Sequence, residues 1–216
     1  MTEGPHARPR VLAAGVPLEE AAAAAAVLVH GRGATADDIL GIASMVDPGG
    51  MAFLAPQAAG NTWYPYRFLE PIERNEPWLS SALGLLADLF GHLASAGVPP
   101  ERTALLGFSQ GGCLALEYAA RNARRYGALV GLSGGLIGAD GEPRQYRGSL
   151  DGTPTFLGCS DVDPHIPKYR FDETAEVLRG LGAEVDARVY PGMGHTINQD
   201  ELDAVAALFR SLRSGG

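Results

Sequence analysis

A serine flanked by glycines lies where an apolar run gives way to a helical pattern. Residues 107–112 read Gly-Phe-Ser-Gln-Gly-Gly and run from the end of the predicted strand 103–108 into the predicted helix 110–122. A nucleophile on a sharp strand-to-helix turn needs glycine on both sides, because Cβ atoms at those positions would collide with the turn. The following helix would place free N–H groups beside Ser109, where negative charge develops during acyl transfer. We therefore predict a nucleophilic Ser109; the alternative is a chance glycine-rich turn.

A nucleophilic serine requires a base and an orienting acid, which follow it in the order acid, then histidine. The two histidines after Ser109 are His165 and His195. His195 lies past the last predicted strand, where the base is expected, so we favour it and interpret His165 as a rim residue. Asp163 precedes a proline that fixes the outgoing chain, so we prefer it to Asp161 as the acid. Asp161 is expected to cap or brace the same loop.

A second glycine cluster, 30–33, reads His-Gly-Arg-Gly and follows an apolar run. Glycines at this position let a backbone N–H point into a site, so the amides of Arg32 and Gln110 are predicted to form an oxyanion hole. The Arg32 side chain is expected to point elsewhere, either to a substrate carboxylate or to a nearby acid (Asp37 or Asp38). The histidine of this cluster, His30, is interpreted as a structural hydrogen-bonding residue.

Aromatic residues cluster at 63–68, after the predicted strand 51–55. Such residues would either wall an acyl or alcohol pocket or fix a long loop to the body of the protein. The predicted substrate-contact residues are Trp63, Tyr64, His165, Ile166 and Met193.

Short apolar runs alternate with longer amphipathic segments, which predicts an α/β architecture with a largely parallel sheet. The predicted strands are 27–29, 51–55, 103–108, 128–132, 155–158 and 185–190, the last of them near an edge because its pattern alternates. The predicted helices are 35–46, 77–96, 110–122, 169–181 and 200–213, the first opened by a capping box of Thr35 and Asp38. The alanine run 21–26 is interpreted as an extended entry after a turn at 17–20, because a helix would run directly into the strand at 27.

Composition limits the remaining possibilities. The 216 residues carry a net charge of -8 and are 46% hydrophobic, which describes a globular protein in one domain, 1–216. No basic stripe is present for a nucleic-acid partner, and the apolar stretch 21–29 is about half of the ~20 residues that a membrane span requires. The N-terminus resembles no signal peptide, so a cytoplasmic protein is expected. We expect it to be a monomer or a homodimer. Cys113 and Cys159 are interpreted as small buried hydrophobic residues.

Four ordered motifs, 28–33, 107–112, 163–167 and 192–195, together resemble the phospholipase/carboxylesterase family of α/β-hydrolases, which includes bacterial carboxylesterases and acyl-protein thioesterases. The resemblance covers nearly the whole chain. It implies an α/β-hydrolase fold, with a mostly parallel central sheet flanked by helices and no large lid domain. It also implies a triad of Ser109, Asp163 and His195, and cofactor-free hydrolysis of ester or thioester bonds.

Two features depart from the thioesterase members of that family. Arg32 stands where those members usually carry leucine, and their apolar acyl-binding loop is not recognisable here. We therefore expect carboxylic ester substrates, or thioesters, with small to medium acyl groups. The alternatives are lysophospholipase or acyl-protein thioesterase activity, acyl transfer to an alcohol, and a non-catalytic ligand-binding protein on the same fold.

Overall fold

A seven-stranded sheet forms the centre of the protein in the computed structural model, which describes residues 3–20 and 24–214. The strands are β1 (Val11–Gly15), β2 (Ala24–Val29), β3 (Met51–Pro56), β4 (Thr103–Phe108), β5 (Ala128–Leu132), β6 (Pro154–Ser160) and β7 (Glu184–Tyr190). Their order across the sheet is β1-β3-β2-β4-β5-β6-β7. Every neighbouring pair is parallel except β1 with β3. The largely parallel sheet predicted from the sequence is therefore present.

Helices cover both faces of this sheet. They are α1 (Ala36–Val46), α2 (Trp78–Ser95), α3 (Gln110–Arg121), α4 (Lys168–Gly180) and α5 (Gln199–Ser214). Buried side chains of α1 and α5 belong to the apolar core on one face, and those of α2, α3 and α4 to the core on the other. The predicted capping box of α1 is present, because Thr35 Oγ1 accepts from the Asp38 N–H and an Asp38 carboxylate oxygen accepts from the Thr35 N–H.

Strand β2 shows why an alanine-rich segment can form a central strand. Its six residues are all fully buried, and successive side chains enter opposite cores, as a strand buried on both faces requires. A 3-10 turn at Leu18–Glu20 precedes it, so the predicted turn and extended entry hold where the chain is described. Residues 21–23 of the alanine run lie outside the described residues.

The edge strand β1 was not predicted from the sequence. Its five residues alternate between exposed and partly buried, and two of them are alanine, so the segment lacks the continuous apolar run that marks a buried strand. It is held by antiparallel pairing from Val11 with Pro56 to Gly15 with Ala52. At the opposite edge lies β7, as its alternating pattern predicted.

The sheet topology brings the chemically important loops together. Because the carboxyl ends of parallel strands meet at one edge of a sheet, the segments after β2, β4, β6 and β7 face one another. Two long segments without α-helix or strand, 57–77 between β3 and α2 and 133–153 between β5 and β6, also begin at these strand ends. Cys113 and Cys159 are free and buried, as interpreted. No helix in the described part of the chain is long and apolar enough to cross a membrane.

Candidate active site

Ser109 occupies a strained turn between β4 and α3. Its backbone has φ 55° and ψ -121°, a conformation that typically costs about 1–3 kcal/mol for a residue with a side chain. A Cβ on Gly107 would lie 2.1 Å from the Gly111 carbonyl oxygen, and one on Gly111 would lie 2.1 Å from the Val29 carbonyl oxygen. Only glycine fits at these two positions, which is the steric requirement inferred from the sequence.

A continuous hydrogen-bonded chain connects Ser109 to a histidine and an acid. The Ser109 hydroxyl lies 2.8 Å from His195 Nε2, and His195 Nδ1 lies 2.7 Å from Asp163 Oδ2. The Asp163 side chain is fully buried, whereas the His195 side chain is 19% exposed. The His195 ring also contacts Phe108 and meets His165 edge to face, with ring centroids 4.7 Å apart. The three residues predicted as a triad therefore lie together in this order.

Hydrogen bonds keep Asp163 ionised despite its burial. Burial by itself would raise its pKa, but the His195 ring and the amides of His165 and Ile166 donate to the carboxylate and lower the pKa below its ordinary value. Asp163 Oδ1 receives the two amide bonds, at 2.8 and 3.1 Å, which leaves Oδ2 for the imidazole. The proline that follows Asp163 starts this turn, so the segment supports the acid as the sequence suggested.

The loop that carries His195 is fastened to the loop that carries Asp163. Asp161 Oδ1 accepts from the Gly192 N–H at 2.7 Å, and the Ser160 hydroxyl accepts from the Gly194 N–H at 3.1 Å. Asp161 thus braces the loop, as predicted. These two bonds hold the imidazole in reach of both partners, although the base and the acid are far apart in sequence.

The two backbone N–H groups predicted as oxyanion donors belong to segments that meet at Ser109. Gln110 is the first residue of α3, so its amide has no partner within the helix. A Cβ on Gly31 would lie 3.4 Å from the Ser109 Cβ, so the loop 30–33 passes directly along the serine. Among the described residues, neither the Arg32 amide nor the Gln110 amide donates a hydrogen bond. Both predicted oxyanion donors are therefore available.

The Arg32 side chain turns toward the wall of the site and not toward Asp37 or Asp38, which corrects one of the two options drawn from the sequence. Its guanidinium donates to the carbonyls of Tyr64, Pro65 and Tyr66 at 2.9, 2.9 and 2.6 Å. Three main-chain carbonyls are thus satisfied by a single side chain. Arg32 fixes segment 64–66 in place.

Gln110 and His30 also hold the segment that forms this wall of the cavity. Gln110 Oε1 accepts from the Trp63 N–H at 2.9 Å, and its Nε2 donates to the Tyr64 carbonyl at 2.7 Å. His30 Nδ1 donates to the Gly31 carbonyl, while Nε2 accepts from the Ala58 N–H. Burial lowers the pKa of His30, so the ring is held neutral for these bonds. His30 is structural, as interpreted from the sequence.

A cavity of about 490 Å³ opens at Ser109 and His195. Its lining comprises Arg32, Tyr64, Pro65, Tyr66, Arg67, Phe68, Glu70, Ser109, Gln110, Cys113, His165, Ile166 and His195. Tyr64, His165 and Ile166, which were predicted to contact substrate, are among these residues. Arg67, Glu70 and Cys113 were not anticipated. Cys113 lies one helical turn after Ser109, a spacing that signals the same helix face.

Trp63 and Met193 do not line this cavity, contrary to the expectation that they contact substrate. Trp63 is fully buried, and its Nε1 donates to the His30 carbonyl at 2.8 Å, so it fixes the loop to the body of the protein. The thioether of Met193 instead accepts from Asn198 Nδ2 at 2.9 Å within the histidine loop. The direction of a side chain on an irregular loop depends on such tertiary contacts, which the sequence pattern does not reveal.

The sequence profile of the phospholipase/carboxylesterase family matches residues 13–212. The chain belongs to this family. The crystal structure of a phospholipase/carboxylesterase from Dyadobacter fermentans is 39% identical and superposes with a TM-score of 0.90 over 98% of this chain and 99% of that one. The structure of esterase PE8, 24% identical, superposes with a TM-score of 0.79 over 95% of this chain and 99% of that one. The α/β-hydrolase fold implied by the motifs is confirmed.

Curated relatives in this family include acyl-protein thioesterases 1 from fungi. The Gibberella zeae protein is 36% identical over 117 residues, which are 53% of this chain and 50% of that protein. The Neurospora crassa protein is 29% identical over 142 residues, or 63% of this chain and 57% of that protein. The chain thus spans about half the length of the curated relatives it matches.

Proposed function

We propose that this member of the phospholipase/carboxylesterase family is a serine hydrolase that cleaves carboxylic ester or thioester bonds of small to medium acyl substrates. The hydrogen-bonded chain from Ser109 through His195 to Asp163, with distances of 2.8 and 2.7 Å at the cavity, carries the proposal. Family membership supports the bond type, because its named members are carboxylesterases and thioesterases.

In the proposed reaction, His195 Nε2 takes the Ser109 proton while Oγ attacks the acyl carbonyl carbon. The Asp163 carboxylate holds the opposite N–H and stabilises the imidazolium. The amides of Arg32 and Gln110 donate to the oxyanion, which needs no reorganisation because neither N–H is otherwise engaged within the described residues. The imidazolium then protonates the departing alcohol or thiol.

Deacylation follows the same route with water in place of the alcohol. His195 takes a proton from the water, whose oxygen attacks the acyl-enzyme, and Ser109 recovers its proton as the acid leaves. The side chains of this chain account for every proton in the cycle. The aromatic residues Tyr64 and Phe68 and the aliphatic Ile166 belong to the cavity lining and suit an acyl group of modest length.

The decisive test is turnover of 4-nitrophenyl butyrate by Ser109→Ala. We expect kcat/KM to fall by a factor on the order of 10³ or more, while the exposed control Ser44→Ala retains the wild-type value. A fluorophosphonate probe is expected to label Ser109 in the folded protein. Full turnover by Ser109→Ala would show that the assignment of the nucleophile is wrong.

Thioester cleavage is the second candidate activity, and the matches to two acyl-protein thioesterases 1 favour it. A matched series of 4-nitrophenyl esters and acyl thioesters with equal chain lengths separates the two activities. A higher kcat/KM for thioesters across the series would make thioester hydrolysis the principal reaction.

A further inference from the structure

The cavity beside Ser109 carries an excess of positive charge, although the whole chain has a net charge of -8. Two arginines, Arg32 and Arg67, belong to its lining, against a single acidic residue, Glu70. The balance of charge at this position is thus opposite in sign to the balance of the chain. Such a reversal in a concave site attracts anions.

The Arg32 cation is immobilised but not neutralised. Its three acceptors, the carbonyls of Tyr64, Pro65 and Tyr66, take three of its N–H groups without contributing a formal negative charge. Within the described part of the chain, no carboxylate forms an ion pair with Arg32. A fixed positive charge therefore stays at the edge of the cavity, next to the proposed oxyanion donor.

Arg67 supplies a cation with free donors. Arg67 is an exposed member of the cavity lining, and its guanidinium has no ion pair and no hydrogen bond within the described residues. The neighbouring carboxylate, Glu70, is already paired with Arg74 at 2.8 Å, and the Arg74 guanidinium lies over the Tyr66 ring. Glu70 is thus not used to neutralise Arg67, whose planar fork suits a carboxylate.

We propose that the preferred substrates of this site are esters that carry a carboxylate, and that Arg67 binds this group while Arg32 adds to the positive field. The inference rests on the proposed function and specifies its substrate class. The carboxylate belongs either to the acyl group or to the alcohol. These sources share one chemistry, and separate substrates distinguish them.

Two matched pairs of substrates test the proposal. For the acyl side, mono-4-nitrophenyl adipate is compared with methyl 4-nitrophenyl adipate, in which the free carboxylate is methylated. For the alcohol side, 4-acetoxybenzoate is compared with methyl 4-acetoxybenzoate. In at least one pair, we expect wild-type kcat/KM to be about fivefold to tenfold higher for the anionic member, mainly through KM. Added salt at about 0.5 M is expected to reduce this ratio, because the ion pair between Arg67 and the substrate carboxylate is accessible to solvent.

Arg67→Gln removes the cation while keeping a polar side chain of similar length. The ratio of anionic to neutral kcat/KM is expected to fall close to one in this variant. The matched control is Arg210→Gln, an exposed arginine on α5 outside the cavity, which makes the same change in net charge and is expected to keep the wild-type ratio. A wild-type ratio near one in both pairs, or equal ratios in Arg67→Gln and wild type, would overturn the proposal.

A binding measurement separates this outcome from failure of the proposed hydrolysis. Two matched pairs of amides are titrated calorimetrically into Ser109→Ala and into Ser109→Ala combined with Arg67→Gln. For the acyl side, N-phenyladipamic acid is compared with its neutral N-methylamide; for the alcohol side, 4-acetamidobenzoate is compared with 4-acetamido-N-methylbenzamide. In at least one pair we expect the acid to bind more tightly by about fivefold or more, and the double variant to lose this difference, whether or not the esters are turned over. Equal affinities within both pairs would contradict the anion site even if hydrolysis itself were established.

Discussion

Gly158 of β6 and Glu201 of α5 are fitted to each other, since a Cβ on Gly158 would lie 2.1 Å from Oε1 of Glu201. The Glu201 side chain is fully buried, and Oε2 accepts from the Asn198 N–H at 2.8 Å. Oε1 has no hydrogen-bond partner among the described residues. Burial raises the pKa of Glu201 to about 7. A carboxyl that favours its neutral form thus lies between the strand leading to the acid and the helix following the histidine loop.

Replacing Glu201 with glutamine should flatten the dependence of stability on pH. Because the folded-state pKa is about 7 against an ordinary value of 4.5, the folded protein holds the proton more tightly. The free energy of unfolding of the wild type should therefore fall as pH rises from about 4.5 to about 7, by on the order of 2 kcal/mol. Glu201→Gln should lose this fall. Urea unfolding at several pH values measures it, with Asp203→Asn, an exposed acid on the same helix, as control.

Gly158→Ala should destabilise the protein because the new methyl group meets the Glu201 carboxyl. We expect a loss of about 1–3 kcal/mol in the free energy of unfolding, typical of overpacking in a well-filled interior. In a Glu201→Ala background the same substitution should cost less, since the space is vacant. A double-mutant cycle of unfolding free energies gives the coupling. Additive losses would contradict the proposed contact.

Asp163→Asn should abolish most of the turnover without unfolding the protein. An asparagine cannot hold the imidazole in the required tautomer, so kcat/KM for 4-nitrophenyl butyrate should fall on the order of 10³ to 10⁴. Because the pKa of Asp163 lies below its ordinary value, the wild-type carboxylate stays ionised at about pH 7 to 8, where the two proteins should be compared. Asp161→Asn, which weakens only a loop brace, should lose much less. Comparable losses in the two variants would argue against Asp163 as the orienting acid.

Arg32→Met should loosen the cavity wall while retaining the backbone amide proposed to bind the oxyanion. Loss of three hydrogen bonds to the 64–66 carbonyls should raise KM for a neutral ester about fivefold to tenfold, with a smaller change in kcat. Arg32→Lys keeps the charge and part of the hydrogen bonding, so its KM should lie between those of the wild type and Arg32→Met. Unchanged KM in Arg32→Met would show that segment 64–66 holds its position without the guanidinium.

Local patterns were sufficient to predict most of the elements and the loops that carry Ser109, Asp163 and His195. Glycine at 107 and 111 is dictated by collisions with backbone atoms, and that requirement is visible in the sequence itself. The bounds of strand β4 and the first residue of helix α3 were also predicted correctly. A continuous apolar run followed by a helical period leaves few alternatives.

Side-chain directions in the irregular segments could not be predicted in the same way. Trp63 and Tyr64 are neighbours in an aromatic cluster, yet Tyr64 lines the cavity and Trp63 is buried against His30. The choice depends on hydrogen bonds that Trp63 and Tyr64 form with His30 and Gln110, which lie in distant parts of the chain. Strand β1 eluded prediction because pairing with β3, and not its own hydrophobicity, makes it a strand.

Arg32 is attached to the site at both ends, with its amide beside Ser109 and its guanidinium on the carbonyls of segment 64–66. The position of segment 64–66 therefore depends on the loop that carries Arg32. If the segment 30–33 were replaced by that of a relative with leucine at position 32, the three carbonyls of segment 64–66 would lose their hydrogen-bond donor. Exchange of specificity between members of this family is thus expected to require the two loops to be transplanted together.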